Sequence, residues 1–146
     1  MTNRHTRSAE PPPGPGEPED APLEFTAFCE LHRPRYLSYA RVWLTEHSDA
    51  ATAVQQAFAE IAVHWRELMG SSNPTAHAWE ILRGTVAAHT RRESPDPDRH
   101  PADDDLAILH YVVGLAAPEI ADVIGTDAAS VAGRLRRTML REASGW

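Results

Sequence analysis

Apolar residues recur along the chain at helical spacing, in runs broken by proline and glycine. Leu23, Phe25, Phe28 and Leu31, then Leu37, Ala40 and Leu44, follow one helix face, with an interruption predicted near Pro34. Ser48 is placed to cap a second helix, with Asp49 in its first turn, where the helix dipole favours negative charge. Val54, Phe58, Ile61, Trp65 and Leu68 form the apolar stripe of that helix, and Gly70 is its stop. Asn73-Pro74 reads as a cap followed by proline at the first helical position. Ala78, Ile81, Leu82, Val86 and His89 then form a third stripe, ending at Arg91-Arg92. Three amphipathic helices of this kind can enclose one core.

A shorter helical block follows. Asp103, Asp104 and Asp105 stand where a helix N-terminus favours carboxylates, with Leu106, Leu109, Val112 and Val113 behind them and Gly114 as the stop. Pro118 opens a short helix carrying Ile120, Ala121 and Ile124, which Gly125 ends. Asp127 is placed to cap a last helix whose apolar side runs through Val131, Leu135 and Met139. A short helix, a glycine turn and a longer arginine-bearing helix form the pattern of a helix-turn-helix.

The segments between the blocks set the domain map. Six of the twelve prolines lie between Pro11 and Pro22 and three between Pro95 and Pro101. Residues 1–21 are therefore expected to be a disordered proline-rich tail, since they bury too little apolar surface to offset their ordering entropy. Residues 93–103 are expected to be an acidic linker between a first domain, 22–92, and a second, 104–146. Of the net charge of −7, two lie in residues 1–20 and five in residues 93–105, at the linker and the start of the second block, while residues 21–92 and 106–146 are neutral. An acidic balance weakens nonspecific attraction to nucleic acid but leaves room for a local basic helix on a neutral block. All fourteen basic residues are arginine.

The second block and parts of the first resemble bacterial RNA polymerase sigma factors of the small extracytoplasmic-function type. The C-terminal promoter-binding region is matched by His110-Tyr-Val-Val-Gly-Leu-Ala-Ala-Pro-Glu-Ile-Ala-Asp-Val-Ile-Gly125 and Ser130-Val-Ala-Gly-Arg-Leu-Arg-Arg137. The N-terminal core-binding region is matched by Arg33-Pro-Arg-Tyr-Leu-Ser-Tyr-Ala-Arg41, Asp49-Ala50, Val54-Gln55-Gln56-Ala57-Phe58 and Ala78-Trp79. The resemblance covers about five-sixths of the chain, in the family's order.

It implies an all-α protein with a three-helix domain similar to sigma region 2 and a C-terminal helix-turn-helix similar to sigma region 4. It also implies a transcription factor that binds the clamp helices of the RNA polymerase core and promoter DNA, with an anti-sigma or other regulatory protein as a further partner. Asp49, Gln55, Gln56 and Phe58 would then face polymerase. Trp79, Arg83, Arg91 and Arg92 would lie near the unpaired −10 strand. Ser130, Arg134 and Arg137 would face the −35 duplex, with Arg136 and Arg141 reaching phosphates. Positions 130, 134 and 137 do share a helix face by the 3.6-residue period, and the arginine fork suits guanine edges and phosphates.

The chain departs from the family pattern at defined places. Thr52 and Gln56 stand where the family carries acids, and Val86 and Thr90 where it carries asparagine and aspartate. Asp103-Asp104-Asp105 replaces a basic or polar run, and the connector ahead of it is short. These departures keep a second reading open: a sigma-like fold kept as a protein-interaction module for another transcription regulator, with little DNA binding of its own. The sequence does not say whether the two domains pack on each other; compact packing would bury residues 128–137 in an off state.

Other chemistry is not indicated. The eight histidines lack the spacing of a metal site, and no phosphate loop, nucleophile elbow or carboxylate pair occurs, so no metal, cofactor or enzymatic activity is expected. Cys29 stands alone on an apolar stripe and is expected to be a core residue. No apolar run reaches the ~20 residues that span a bilayer, and residues 1–20 lack a signal-peptide core, so a cytoplasmic protein without membrane contact is expected.

Overall fold

The computed structural model describes residues 23–93 and 102–144. The predicted tail and residues 94–101 of the predicted linker lie outside the described residues. Helix α1 spans Leu23–Trp43, α2 His47–Val63, α3 Trp65–Met69 and α4 Pro74–Glu93. Helix α5, Ala102–Ala107, runs directly into a π-helical turn, Ile108–Val113; α6 spans Ala117–Ile124 and α7 Ala128–Ser144. The architecture is all-α, with no strand among the described residues.

Several helix ends form as the pattern predicts. Asn73 Oδ1 accepts from the Ala76 N–H at 3.1 Å, capping α4 ahead of Pro74. Asp127 Oδ1 accepts from the Ser130 N–H at 2.8 Å at the start of α7. Gly114 and Gly125 stop their helices in left-handed backbone, at φ 94° and 82°. At the start of α6, Glu119 Oε1 accepts from the Ala116 N–H at 2.8 Å.

Several local expectations are corrected. Helix α1 continues through Pro34, although proline removes one helical hydrogen bond, because residues on both sides of it pack inward. Its buried face is Cys29, His32, Tyr36, Tyr39 and Ala40, while Leu23 and Leu31 are 83% and 67% exposed. Helix α2 starts at His47, with Glu46 at the cap position, so Ser48 lies inside it, its carbonyl accepting from the Thr52 hydroxyl at 2.8 Å. It also ends at Val63 rather than running to Gly70, which closes the separate turn α3. On α7 the buried stripe is Val131 and Leu135; Met139 is 54% exposed, as is Val112 of the π-helical turn at 64%.

The two blocks share one apolar cluster. Tyr36, Tyr39, Leu44, Ile61, Leu82 and Val86 of the first are buried with Leu106, Leu109, Ile120, Val123 and Val131 of the second. Helix α4 packs on α6, and α1 on the π-helical turn. Within the first block an aromatic ladder fills the core: Phe58 stacks on Tyr36 at 5.5 Å, and Trp79 meets Tyr39 edge-on at 4.8 Å.

Candidate functional site

The helix-turn-helix is built by α6, a three-residue turn and α7. Val131 and Leu135 anchor α7 inward, so residues a few positions away face out. Ser130, Arg136, Arg137 and Arg141 are exposed and Arg134 is half-buried. Packing of the blocks buries only Val131 and Leu135 among residues 128–137 and leaves the arginine face open. Ser130 also donates its hydroxyl to Asp127 Oδ2 at 2.9 Å, and the Ser130 N–H bond holds the Asp127 carboxyl below its usual pKa. Asp127 is thus a firm negative charge at the helix start, while the positive charge of α7 gathers one turn and more further on.

The residues assigned to polymerase lie on α2 but not on one surface. Gln55 and Gln56 are exposed, Asp49 is half-buried and Phe58 is buried. Gln55 and Phe58 border a groove of about 530 Å³ between α1 and α2, floored by Val54, Leu37 and Cys29. The Arg33 guanidinium stands 5.3 Å above the Phe58 ring at its edge. Burial pushes the Cys29 thiol up in pKa, as suits a core residue. Gln56 also reaches α4, where its Oε1 accepts from His89 Nε2 at 2.8 Å.

The residues assigned to the −10 strand share α4 but differ in access. Trp79 is only 4% exposed, enclosed by Tyr36 and Tyr39, so its ring offers no face to a base in this arrangement. Arg83 has 18% of its side chain exposed and gives its Nε–H to Asp105 Oδ2 at 2.5 Å. Burial works against the Arg83 charge, but the Asp105 hydrogen bond and charge more than offset it, so its pKa is raised. Arg91 is exposed, and the Arg92 side chain lies outside the described residues.

Asp105 is the residue of this cluster that pattern reading places elsewhere. Its position among three aspartates suggests a helix N-terminus, yet it is 2% exposed and also accepts from the Tyr39 hydroxyl at 2.7 Å. No signal in the sequence identifies this contact, because its partners stand 22 and 66 residues away and meet only when the blocks dock.

A second groove, of about 750 Å³, lies between α2, α3 and α4 over Leu68 and Ile81. Glu60, Glu67 and Glu80 line it with His64, His77 and His89. Three carboxylates give this face a negative charge, which disfavours nucleic acid there. Among the described residues no group of three or more His, Cys, Asp and Glu side chains could hold a metal ion. No helix among them is long and apolar enough to cross a membrane. No family model, curated protein or solved structure matches the chain.

Proposed function

We propose that this chain is a sigma-factor-like transcription regulator that binds the RNA polymerase core and promoter DNA. The observation that carries the reading is the outward arginine face of α7, mounted on a helix-turn-helix whose turn is fixed by Gly125 and Asp127. In this reading Ser130, Arg134 and Arg137 enter the major groove of the −35 element, and Arg136 and Arg141 take phosphates. The groove between α1 and α2, with Gln55 on its rim and Phe58 at its side, is the surface offered to the polymerase clamp helices. Trp79, Arg83 and Arg91 on α4 are the residues assigned to the −10 strand. The part played by such a protein is placement: it brings polymerase to a duplex sequence, and no bond-making chemistry falls to its side chains.

The test is binding of the purified chain to core RNA polymerase, followed by run-off transcription on promoter fragments. Stable binding with start-site-specific transcripts, lost in an R134A/R137A double variant, is the expected result. Binding without transcripts in any promoter panel overturns the promoter-directed part of the reading.

One observation favours the second reading, a protein-interaction module for another transcription regulator. Trp79 is enclosed and Arg83 is neutralised by Asp105, so the surface assigned to single-stranded DNA is occupied from within. A chain that binds neither polymerase nor duplex DNA but captures a purified sigma factor or anti-sigma protein would establish that alternative.

A further inference from the structure

Three elements distant in sequence converge on one carboxylate. Tyr39 of α1 gives its hydroxyl hydrogen to Asp105 Oδ1 at 2.7 Å, and Arg83 of α4 gives its Nε–H to Oδ2 at 2.5 Å. Asp105 belongs to α5 of the second block, whereas Tyr39, Trp79 and Arg83 all belong to the first. Tyr39 is fully buried and Trp79 nearly so, the two rings meeting edge-on. The second block thus covers the Tyr39 hydroxyl and the Arg83 guanidinium, with Trp79 packed against Tyr39 inside the first block. A guanidinium is what a single nucleic-acid strand needs from a protein as a partner for phosphate.

We infer that Asp105 is an intramolecular latch, its carboxylate taking the place of a nucleic-acid phosphate on Arg83 and holding the second block against Tyr39 and Arg83. This rests on the reading that α4 meets single-stranded promoter DNA. The substitution is chemically direct, because a guanidinium binds carboxylate and phosphate through the same N–H donors. A buried ion pair of this kind adds little net stability, since desolvation offsets its attraction, but removing one partner is costly. It therefore specifies which surfaces meet more than it glues them, and a competing anion can displace it. Around the apolar core that the blocks share, the polar contacts between them are partly in water: Arg35 to Glu119 at 3.4 Å, and Asn73 Nδ2 donating to the Gly125 carbonyl at 2.7 Å. Exposed pairs of this type contribute little. The latch separates the two DNA-facing surfaces functionally: α7 stays available while α4 is closed.

The test compares the full chain with D105N. Asparagine keeps the volume and the acceptor for Tyr39 but removes the charge on which Arg83 relies. Amide hydrogen exchange and binding of a fluorescein-labelled single-stranded DNA oligonucleotide are measured on both proteins. Faster exchange confined to residues 36–43, 79–86 and 105–113 is expected, with helix content by circular dichroism unchanged. If the open form is about 0.1–10% of the wild-type population, DNA affinity rises at least about tenfold when it is released. Unchanged exchange overturns the latch. Faster local exchange with no gain in DNA affinity upholds the latch and removes the −10 role of α4.

Should D105N lose its helices altogether, A76L decides the matter. It wedges the contact between α4 and the Gly125 turn while leaving all three latch residues in place. Local opening in A76L with helices intact supports the latch. Global unfolding there too overturns it, because the blocks would then not be separable.

Discussion

The backbone of Gly125 lies directly against Ala76, so that a Cβ on Gly125 would fall 2.4 Å from the Ala76 nitrogen. Gly125 also sits at φ 82°, where an L side chain is strained by roughly 1–2 kcal/mol. G125A therefore loses stability on two counts, the local turn and the contact between blocks. The expected outcome is a lowered urea midpoint with a loss of at least that size, whereas G114A, which meets nothing within 4 Å, loses only the turn term.

Trp79 is a core residue by position, and its truncation is predicted to act on the whole fold. W79A should cost about 3–5 kcal/mol, the range for removing a buried large aromatic. W79F, which keeps a ring against Tyr39, should cost clearly less. Equilibrium unfolding of the two variants measures this, and equal losses would show that the edge-on packing carries no weight.

Asp127 caps α7 as a carboxylate whose pKa is lowered, chiefly by the Ser130 N–H bond. A lowered folded pKa means that its stabilising contribution is complete above the unfolded carboxylate value near 3.8 and fades as pH falls through the folded one. D127A should speed hydrogen exchange in the first turn of α7 at neutral pH. At a pH below the lowered pKa, variant and wild type should converge.

His32 is buried between Phe28, 4.3 Å away, and Tyr36, 5.4 Å away. Burial lowers its pKa, Arg35 lowers it further, and Asp122 of α6 acts in the opposite direction. The unfolded chain therefore takes up this proton more readily, and stability falls as pH drops below about 6.5 until the folded value is reached. Urea midpoints measured between pH 7.5 and 5, on the order of one unit either side of the histidine reference, should show that decline in wild type. H32L should show less of it.

Arg136 and Arg141 are exposed on α7 and are assigned to phosphates. R136Q and R141Q should each weaken duplex binding uniformly across sequences and reduce the salt slope by about 1. R137A, assigned to a base edge, should cost about 1–3 kcal/mol of discrimination at one position. Fluorescence anisotropy across a salt series separates the two classes, and identical slopes for all three variants would contradict the assignment.

Local chemistry was legible where a single turn of chain decides the outcome. The Asn73 and Asp127 caps, the Gly114 and Gly125 stops and the start of α6 near Pro118 all follow from hydrogen bonds or backbone angles set within a few residues. The all-α class followed from the same signals and from apolar spacing. The pattern failed where several apolar faces compete. On α1 it favoured Leu23 and Leu31, yet the buried side belongs to Tyr36 and Tyr39, whose rings reach α2 and α4. Pro34 reads as a break from its own chemistry, but packing on both sides carries the helix past it.

The candidate site divides in the same way. The outward arginines of α7 could be placed from periodicity, because the buried partners Val131 and Leu135 lie on the same helix. The states of Trp79 and Arg83 could not, because Trp79 is enclosed by rings of another helix and the carboxylate on Arg83 comes from the other block. By itself the sequence determined the helices, most of their ends and the charged face of the last one, since those depend on neighbours within a turn or two. Only the tertiary structure decided that the blocks share a core and that Asp105 meets Tyr39 and Arg83, since a buried carboxylate takes whichever donors the docked surfaces bring to it.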